Sequence, residues 1–348
     1  MKKVVIIGGG FSGALVANKL QRDFDVTLVD NKEYFEFTPG ILRVLVEPRH
    51  MDKIQIKHKD SLDKGRFICG KVTNITSKYV LVNNKKFIFD YLVIATGSRY
   101  STPIKNASTV LATRGALLHK YHARLQKARD VLIIGGGPVG VELAAEICTH
   151  FPEKKLTVIH ASSRLMERTH PRASEYARAF LEKRGVRIIC GEFAREAMGK
   201  RFVTDKGTNV EADIAFICTG IVLNAEFMKK HFSSSLTKRG TIGVNEFLQV
   251  RGTKNVFAGG DITNIAEEKT AQSAEKQARV IVNNVRASEL GRPLKTYCAK
   301  QRAMVISLGK CNGIFIYKRL VVSGFFPAAA KALIEMKTMR RYRYRDFG

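Results

Sequence analysis

Gly8, Gly10 and Gly13 follow a β-branched run at residues 3–7 and precede apolar residues at helical spacing from 14 to 20. The first glycine of such a set permits a tight turn, the second lets a phosphate approach the backbone, and the third lets helix and strand pack closely. The free N–H groups and the dipole at the start of the helix favour negative charge. This spacing predicts a site for the pyrophosphate of a dinucleotide.

A carboxylate stands where such a site needs one. The apolar run at residues 26–29 predicts a second strand, which ends in Asp30, seventeen residues after Gly13. A carboxylate at that place accepts hydrogen bonds from the hydroxyls of a ribose. This order of strand, glycine loop, helix, second strand and terminal acid indicates a dinucleotide site much more specifically than the glycines alone.

The pattern recurs farther along the chain. After a run at residues 131–134 come Gly135, Gly137, Pro138 and Gly140. The next strand, residues 156–159, ends in His160 instead of an acid, with Arg164 nearby. Because no carboxylate there repels a 2′-phosphate, we expect NADPH to bind as well as NADH. The alternative is that His160 is an ordinary residue at the end of a strand.

Three further segments show which dinucleotides are expected. Residues 91–98 and 214–220 are strands that end in small, tight turns, and residues 255–262 read NVFAGGDI. These segments resemble the internal markers of the two-dinucleotide flavoproteins, which include type II NADH dehydrogenases, ferredoxin reductases and apoptosis-inducing-factor relatives. The resemblance implies FAD in the first site and NADH or NADPH in the second.

The resemblance narrows in the second half of the chain. Residues 204–208, 218–221, 244–250 and 337–340 together resemble the ferroptosis-suppressor proteins of the apoptosis-inducing-factor-like group. The resemblance implies an FAD-dependent NAD(P)H:quinone oxidoreductase that acts on a quinone of the ubiquinone, menaquinone or vitamin K type. One departure is the start, Met1-Lys2, which replaces the Met-Gly of a myristoylation signal and puts a lipid anchor in doubt.

The resemblance also implies a set of cofactor contacts. Asp261 is expected on the ribityl chain of the flavin at a helix start, Pro39 beneath the isoalloxazine, and Val72 at the end of a strand along the adenine. Besides the glycine loops, Asp30, His160 and Arg164, the expected cofactor-binding residues are Phe11, Ser12, Asn31, Pro39, Arg43, Val72, Ala95, Thr96, Gly97, Thr219, Gly220, Asp261, Lys269 and Thr270.

Five residues are candidates for the chemistry itself. Residues 271–277 match the AQxAxxQ helix that type II NADH dehydrogenases place at their quinone site, so Gln272 and Gln277, on roughly adjacent faces, are expected to bind a quinone carbonyl. The resemblance to the ferroptosis-suppressor proteins implies that Lys269 lies close to the flavin, where it is expected to stabilise a reduced flavin anion or a quinone oxyanion. Glu142 is expected to face the nicotinamide, and Glu146 to share that face or form a salt bridge. The alternatives are a solvated helix face for the glutamines and a surface position for Lys269.

The C-terminal residues combine an apolar stripe with basic charge. Ala329, Leu333, Met336 and Met339 recur at helical spacing after Phe325-Phe326-Pro327, and lysines and arginines follow from residue 337 to 345. This pattern predicts peripheral binding to an anionic membrane surface. The alternative is a stripe packed in the core, followed by a disordered basic tail.

Charge and cysteines limit the function classes. The net charge is +28, from 59 lysines and arginines against 31 acids, which favours polyanionic partners. A nucleic-acid-binding flavoprotein therefore remains an alternative, as does a soluble diaphorase or reductase of a redox protein. The six cysteines form no CxxC or CxxxxC pair, so we expect no redox disulfide, although Cys298 with Cys311 stays open. No metal site is expected.

The predicted fold class is α/β, with two Rossmann-type dinucleotide-binding domains and a small C-terminal segment. The FAD domain is expected at residues 1–107 and 222–300, with the NAD(P)H domain inserted at 108–221 and the C-terminal segment at 301–348. No apolar stretch is long enough to span a bilayer, and the apolar start leads into a glycine loop, which argues against a signal peptide. We expect a cytoplasmic protein with peripheral membrane association, and a homodimer is compatible with the sequence.

Overall fold

The structure is a computed structural model that describes residues 1–99 and 111–346. The predicted boundary between residues 107 and 108 lies outside the described residues, as do the last two residues of the predicted C-terminal segment.

The secondary structure alternates strands and helices in the order typical of α/β proteins. The strands are β1 (Lys3–Ile7), β2 (Asp25–Asp30), β3 (Tyr34–Glu36), β4 (Gln55–Lys57), β5 (Arg66–Cys69), β6 (Val72–Ile75), β7 (Tyr79–Val82), β8 (Lys85–Ile88), β9 (Tyr91–Ile94), β10 (Ser98–Arg99), β11 (Asp130–Ile134), β12 (Lys155–His160), β13 (Arg187–Cys190), β14 (Ala194–Met198), β15 (Arg201–Thr204), β16 (Asn209–Glu211), β17 (Ile214–Ile217), β18 (Val222–Leu223), β19 (Val256–Ala258), β20 (Met304–Ser307), β21 (Gly313–Tyr317) and β22 (Leu320–Gly324). The helices are α1 (Phe11–Leu20), α2 (Ile41–Val44), α3 (Met51–Ile54), α4 (His58–Ser61), α5 (Leu111–Lys127), α6 (Pro138–His150), α7 (Pro171–Glu182), α8 (Ala271–Glu289) and α9 (Phe325–Tyr344).

The first parallel sheet has the strand order β19-β9-β1-β2-β5. Its central strand β1 pairs with β2 and β9, so that Ile7 lies opposite both Val29 and Ile94. These strands are nearly continuous apolar runs because both faces of a parallel sheet are covered. Helices α1 and α8 pack against each other beside this sheet. Because β19 comes from residues 256–258, the second half of the chain completes a sheet that the first half begins.

The second parallel sheet has the order β13-β12-β11-β17 and repeats the arrangement. Strand β11 pairs with β12 and β17, and α6 follows β11 as α1 follows β1. The short strands β10 and β18 pair antiparallel where the chain leaves the first sheet and returns to it. The predicted fold class, two Rossmann-type α/β units in one chain, is therefore confirmed.

The C-terminal residues form a three-stranded antiparallel sheet, β20-β21-β22, followed by the long helix α9. A turn with Lys318 at φ 53° separates β21 from β22, which pair as a hairpin. Helix α9 packs on this sheet, and buried residues of both join one core with those of the second parallel sheet. In the part of the chain that the structure describes, no helix has the length and apolar character that crossing a membrane requires.

Candidate active site with two dinucleotide-binding loops

The first glycine loop has the geometry that the sequence predicts. Gly8 has φ +99°, and a Cβ there would lie 2.3 Å from the carbonyl oxygen of Ala95. A Cβ on Gly13 would lie 1.8 Å from the carbonyl oxygen of Gly8, so helix α1 and strand β1 approach too closely for any side chain. A Cβ on Gly10 would meet nothing within 4 Å. The space beside Gly10 is therefore open to a ligand.

The start of α1 offers donors to an anion. Gly10 is the N-cap and no side chain caps the helix, so the first N–H groups point toward the open side of the loop. Ser12, in the first turn, has a buried hydroxyl with no hydrogen-bond partner. A buried orphan hydroxyl beside uncapped N–H groups fits the pyrophosphate of FAD.

Asp30 closes the far end of this site. It is the last residue of β2, and its Oδ2 accepts a hydrogen bond of 2.5 Å from the N–H of Gly9. The ring of His58 lies against Gly9 on the buried side, where a Cβ on Gly9 would be 2.3 Å from the imidazole. Burial lowers the pKa of His58 to about 4, so the ring next to Asp30 is neutral. No local sequence pattern predicts a role for His58, which lies 28 residues beyond the end of β2.

The second glycine loop has the same geometry. Gly135 has φ +111°, and a Cβ there would lie 2.7 Å from the carbonyl oxygen of Cys218. A Cβ on Gly140 would lie 1.8 Å from the carbonyl oxygen of Gly135, whereas one on Gly137 would meet nothing within 4 Å. Gly137 is the N-cap of α6, without a side-chain cap, and Pro138 begins the helix. The residues present fit a second dinucleotide, the NAD(P)H expected there.

The small turns after β9 and β17 lie beside the two glycine loops, as their close approach to Gly8 and Gly135 shows. Ala95 directly follows β9. The Oγ of Thr96 donates to the carbonyl oxygen of Asn224, and the side-chain amide of Asn224 donates to the carbonyl oxygen of Thr96. Gly97 and Gly220 have φ of +58° and +69°, which favours glycine in both turns.

Asp261 lies at the carboxyl end of β19 and accepts a hydrogen bond of 2.6 Å from Ser98. The expectation that it begins a helix was wrong: residues 260–263 form a turn closed by the N–H of Thr263 to the carbonyl oxygen of Gly260. Helix α8 begins ten residues later, at Ala271. The VFAGGD segment therefore ends in a turn that carries the carboxylate out of the sheet.

Lys269 holds the loop between Asp261 and α8. Its Nζ donates to the carbonyl oxygens of Thr263, at 2.8 Å, and Ile265, at 3.1 Å. Burial lowers the pKa of Lys269, against the opposing effects of Asp261 and Glu267. The ammonium is half-buried close to Asp261 and gives up its proton more readily than a surface lysine.

The two glutamines of the AQxAxxQ helix do not lie together. Gln272 is exposed, whereas Gln277 is buried, with its Oε1 accepting from the N–H of Gly260 and its Nε2 donating to Glu267. Five residues turn a helix by 500°, so the two side chains point about 140° apart and the predicted adjacency was wrong. In the structure Gln277 supports the turn that carries Asp261.

The two glutamates of α6 are linked to distant parts of the chain. Glu142 accepts a hydrogen bond of 2.7 Å from the N–H of Ser307 and pairs with Lys331 of α9. Glu146 pairs with Arg43, whose Nη2 lies 2.9 Å from it and also donates to the carbonyl oxygen of Gly309. Sequence reasoning missed Lys331 and Ser307, because no local pattern connects them to α6.

The other predicted cofactor residues lie around these loops. Phe11 is the first residue of α1 and packs edge-on against Phe35 and Phe37, with ring centroids 5.2 Å and 5.8 Å apart. Val72 was expected to end a strand, but β5 ends at Cys69 and Val72 begins β6, in a different sheet. The remaining predicted residues take these places: Asn31 directly after β2, Pro39 in a 3₁₀ turn before α2, Thr219 after β17, and Thr270 as the N-cap of α8.

All six cysteines lie within the described residues and are free thiols. Cys148 and Cys218 are buried, and burial raises the pKa of their thiols to about 11 and about 12. Cys298 and Cys311 are exposed and form no disulfide. At neutral pH the two buried thiols stay protonated, which removes them as nucleophiles.

The chain has two Rossmann units, each with an open glycine loop. Asp30 ends the second strand of the first unit, and Asp261 lies near the first loop. These features define a flavin- and NAD(P)H-dependent oxidoreductase. Comparison with known proteins supports this class. Residues 2–278 match the model of the pyridine nucleotide-disulphide oxidoreductase family, and the chain belongs to that family.

The relatives narrow the group. The chain is 33% identical to ferroptosis suppressor protein 1 of Xenopus tropicalis, over 95% of this chain and 92% of that protein. It is 31% identical to apoptosis-inducing factor homolog B of Dictyostelium discoideum, over 99% and 96% of the two chains. The resemblance to the ferroptosis-suppressor and apoptosis-inducing-factor-like group is confirmed.

Solved structures share the fold. The sulfide:quinone oxidoreductase of Aquifex aeolicus superposes with a TM-score of 0.84 at 19% identity, covering 99% of this chain and 92% of that one. The NDH2 of Plasmodium falciparum, in complex with NADH, superposes with a TM-score of 0.82 at 15% identity, covering 99% and 97%.

Proposed function

We propose that the chain is an NAD(P)H:quinone oxidoreductase that binds an anionic membrane surface through α9. One observation carries this proposal: α9 presents an apolar side to solvent, and its other side reaches helices of both dinucleotide units. A helix placed in this way connects a lipid surface with the site where electrons are transferred.

The exposed side of α9 is apolar over three turns. Phe325, Phe326, Leu333 and Met336 are 64%, 80%, 58% and 63% exposed. Of the predicted stripe only Met339 is buried, so the alternative of a stripe packed in the core does not describe this helix. Fully burying one such side chain gains about 1.5–3 kcal/mol, so these four suffice for reversible attachment to lipid.

The opposite side of α9 is fixed to the rest of the molecule. Lys331 pairs with Glu142 of α6, Arg341 pairs with Glu275 of α8 at 2.9 Å, and Glu335 pairs with His50 at 3.1 Å. Tyr342 is fully buried and its ring stacks on Phe35, with centroids 3.9 Å apart. The basic end of α9 is therefore a docked helix and not a disordered tail.

Basic side chains flank the apolar side. Lys337, Arg340 and Arg343 of α9 are exposed. Each basic residue near an anionic surface adds on the order of 1 kcal/mol, an attraction that salt screens. Lipid binding of this kind is partly electrostatic.

The bound cofactors supply hydride transfer from the nicotinamide and two-electron storage in the flavin. Reduction of a quinone to the quinol takes two electrons and two protons, of which the hydride brings one proton. Solvent supplies the second proton. Lys269, half-buried close to Asp261, is assigned to stabilising a reduced flavin anion or a quinone oxyanion. Exposed Gln272 is assigned to a quinone carbonyl, and buried Gln277 to positioning Asp261.

The α6 glutamates have positioning roles in this proposal. Glu142 and Glu146 hold Lys331 and Arg43, and so fix the C-terminal segment and α2 against the helix that follows the second glycine loop. We also propose that the predicted cofactor-binding residues contact the two dinucleotides. The proposed domain boundaries are those predicted from the sequence, at residues 1–107, 108–221, 222–300 and 301–348. Pairing of β10 with β18 supports the inserted domain.

The attachment is tested with Phe325→Ser/Phe326→Ser, which changes exposed residues only. We expect weaker co-sedimentation with anionic vesicles, by roughly a hundredfold if about 3 kcal/mol of apolar burial is lost. Turnover of a long-chain quinone in those vesicles should fall, while a short, water-soluble quinone is reduced as before. The matched control is Ile88→Ser/Phe193→Ser, which removes two exposed apolar side chains, 66% and 54% exposed, elsewhere.

Two outcomes would replace the proposal. Unchanged sedimentation and long-chain quinone turnover in the α9 variant, with the best rates on soluble acceptors, would favour a soluble diaphorase. Tight DNA binding with a steep dependence on salt, and no quinone turnover, would favour a nucleic-acid-binding flavoprotein.

A further inference from the structure

The two dinucleotide sites differ at the ends of their second strands. In the first site, Oδ2 of Asp30 lies 3.1 Å from the position that a Cβ on Gly9 would take. In the second site, the Cβ and Cγ of His160 lie 3.0 Å from the equivalent position on Gly136. His160 therefore occupies the place that the ribose-binding acid has in the first site.

Glu167 lies next to His160 at the end of the second strand. Its Nε2 lies 2.9 Å from Oε2 of Glu167, a residue of the loop between β12 and α7. That loop is docked on the glycine loop, because the N–H of Met166 donates to the carbonyl oxygen of Gly136 at 2.8 Å. Strand β12 ends in His160 and not in an acid. Through its contact with Glu167, His160 nevertheless brings a carboxylate to the end of this strand.

The two basic residues at this strand end, His160 and Arg164, are both engaged within the protein. Arg164 donates to the carbonyl oxygens of Glu167, at 2.5 Å, and Thr169, at 2.9 Å, and so fixes the loop. His160 is bound to the Glu167 carboxylate. Burial tends to raise the pKa of Glu167, but hydrogen bonds and His160 hold it below its ordinary value. The group is a carboxylate at neutral pH, and its side chain is 36% exposed toward solvent.

We propose that Glu167 is the residue that sets nucleotide specificity, by accepting a ribose hydroxyl of NADH beside His160 and repelling the 2′-phosphate of NADPH. The sequence predicts that NADPH binds as well as NADH, whereas this role of Glu167 makes NADH the preferred donor. This inference concerns the electron donor, so it stands whether or not the acceptor is a quinone.

The charges give the direction of the effect. A phosphate monoester carries about −1.5 to −2 charges at neutral pH, so placing it beside a carboxylate costs free energy that NADH does not incur. Arg168 lies 3.9 Å from Glu167, but it is 78% exposed and its charge is screened. We expect NADH to reduce the flavin at least tenfold more efficiently than NADPH, as the ratio of second-order rate constants.

The test is anaerobic stopped-flow reduction of the bound flavin by each nucleotide, without any acceptor. Glu167→Gln keeps a hydrogen-bonding side chain but removes the charge, and it should shift the preference toward NADPH by about tenfold or more. The control is Glu182→Gln, which removes the same charge from an exposed ion pair with Arg178 on α7 and should leave the preference unchanged.

Three results would overturn the inference. One is wild-type protein that reduces its flavin equally well with both nucleotides. Another is a Glu167→Gln variant in which both rates change by the same factor, as a merely structural role for the loop requires. The third is a Glu182→Gln variant that shifts the preference as much as Glu167→Gln, because the effect would then be one of net charge.

Discussion

Replacing Lys331 with methionine should loosen the attachment of α9 to the second dinucleotide unit. The Glu142 and Lys331 side chains are 11% and 14% exposed, so the variant leaves a mostly buried carboxylate that keeps its hydrogen bond from the N–H of Ser307. Removing one partner of a fully buried ion pair costs about 3–5 kcal/mol. Because this pair keeps some contact with solvent, we expect a loss of about 2–3 kcal/mol, or roughly 5 °C in Tm.

A double-mutant cycle separates the ion pair from general damage to the helix. Glu142→Gln removes the buried charge, so in the double variant methionine at 331 should cost about 1–2 kcal/mol less than it does alone. The control is Lys337→Met, an exposed lysine on the same helix, which should change stability by less than about 0.5 kcal/mol. Thermal unfolding of the FAD-loaded protein measures all four variants. Additive effects at 142 and 331, or equal effects at 331 and 337, would refute the reasoning.

Three further predictions follow from the first dinucleotide site. Gly10→Ala should leave the stability of the flavin-free protein unchanged but abolish flavin retention. Gly13→Ala should fail to fold, because its Cβ would lie 1.8 Å from a carbonyl oxygen. Absorbance at the flavin band and Tm distinguish the two outcomes. Asp261→Ala should lower flavin occupancy after gel filtration, and full occupancy would contradict its assignment to the ribityl chain. Burial lowers the pKa of His58 to about 4 in the folded protein, so His58 takes up a proton at higher pH in the unfolded chain than in the folded one. The free energy of unfolding should therefore decrease between about pH 6.5 and 4. The expected decrease from pH 7 to pH 5 is about 2 kcal/mol. His58→Leu should remove that part of the pH dependence, and exposed His231→Gln should not.

The features that could be predicted from the sequence are those determined within short segments of the chain. Gly8, Gly10 and Gly13 lie within six residues, and the strand that ends in Asp30 follows directly, so local spacing alone defines the first site. The second glycine loop is predicted for the same reason. Both sheets and the fold class follow from these two units.

What the sequence could not predict depends on contacts between distant segments. Lys331 meets Glu142 across 189 residues of chain, and no periodicity encodes such a pair. Glu167 lies only seven residues after His160, but its role depends on how the loop docks on Gly136. The two glutamines were misplaced for a simpler reason: the helical geometry of a five-residue spacing separates them.

We propose that electrons pass from NAD(P)H through the flavin to a membrane quinone. The most direct measurement follows NADH consumption and quinol formation in the same sample, with the FAD-loaded protein on anionic vesicles that contain a long-chain quinone and no oxygen. We expect one quinol formed per NADH consumed, at a rate that falls as salt releases the protein from the vesicles. NADH oxidation without quinol, or a protein that reduces only water-soluble acceptors, would contradict it.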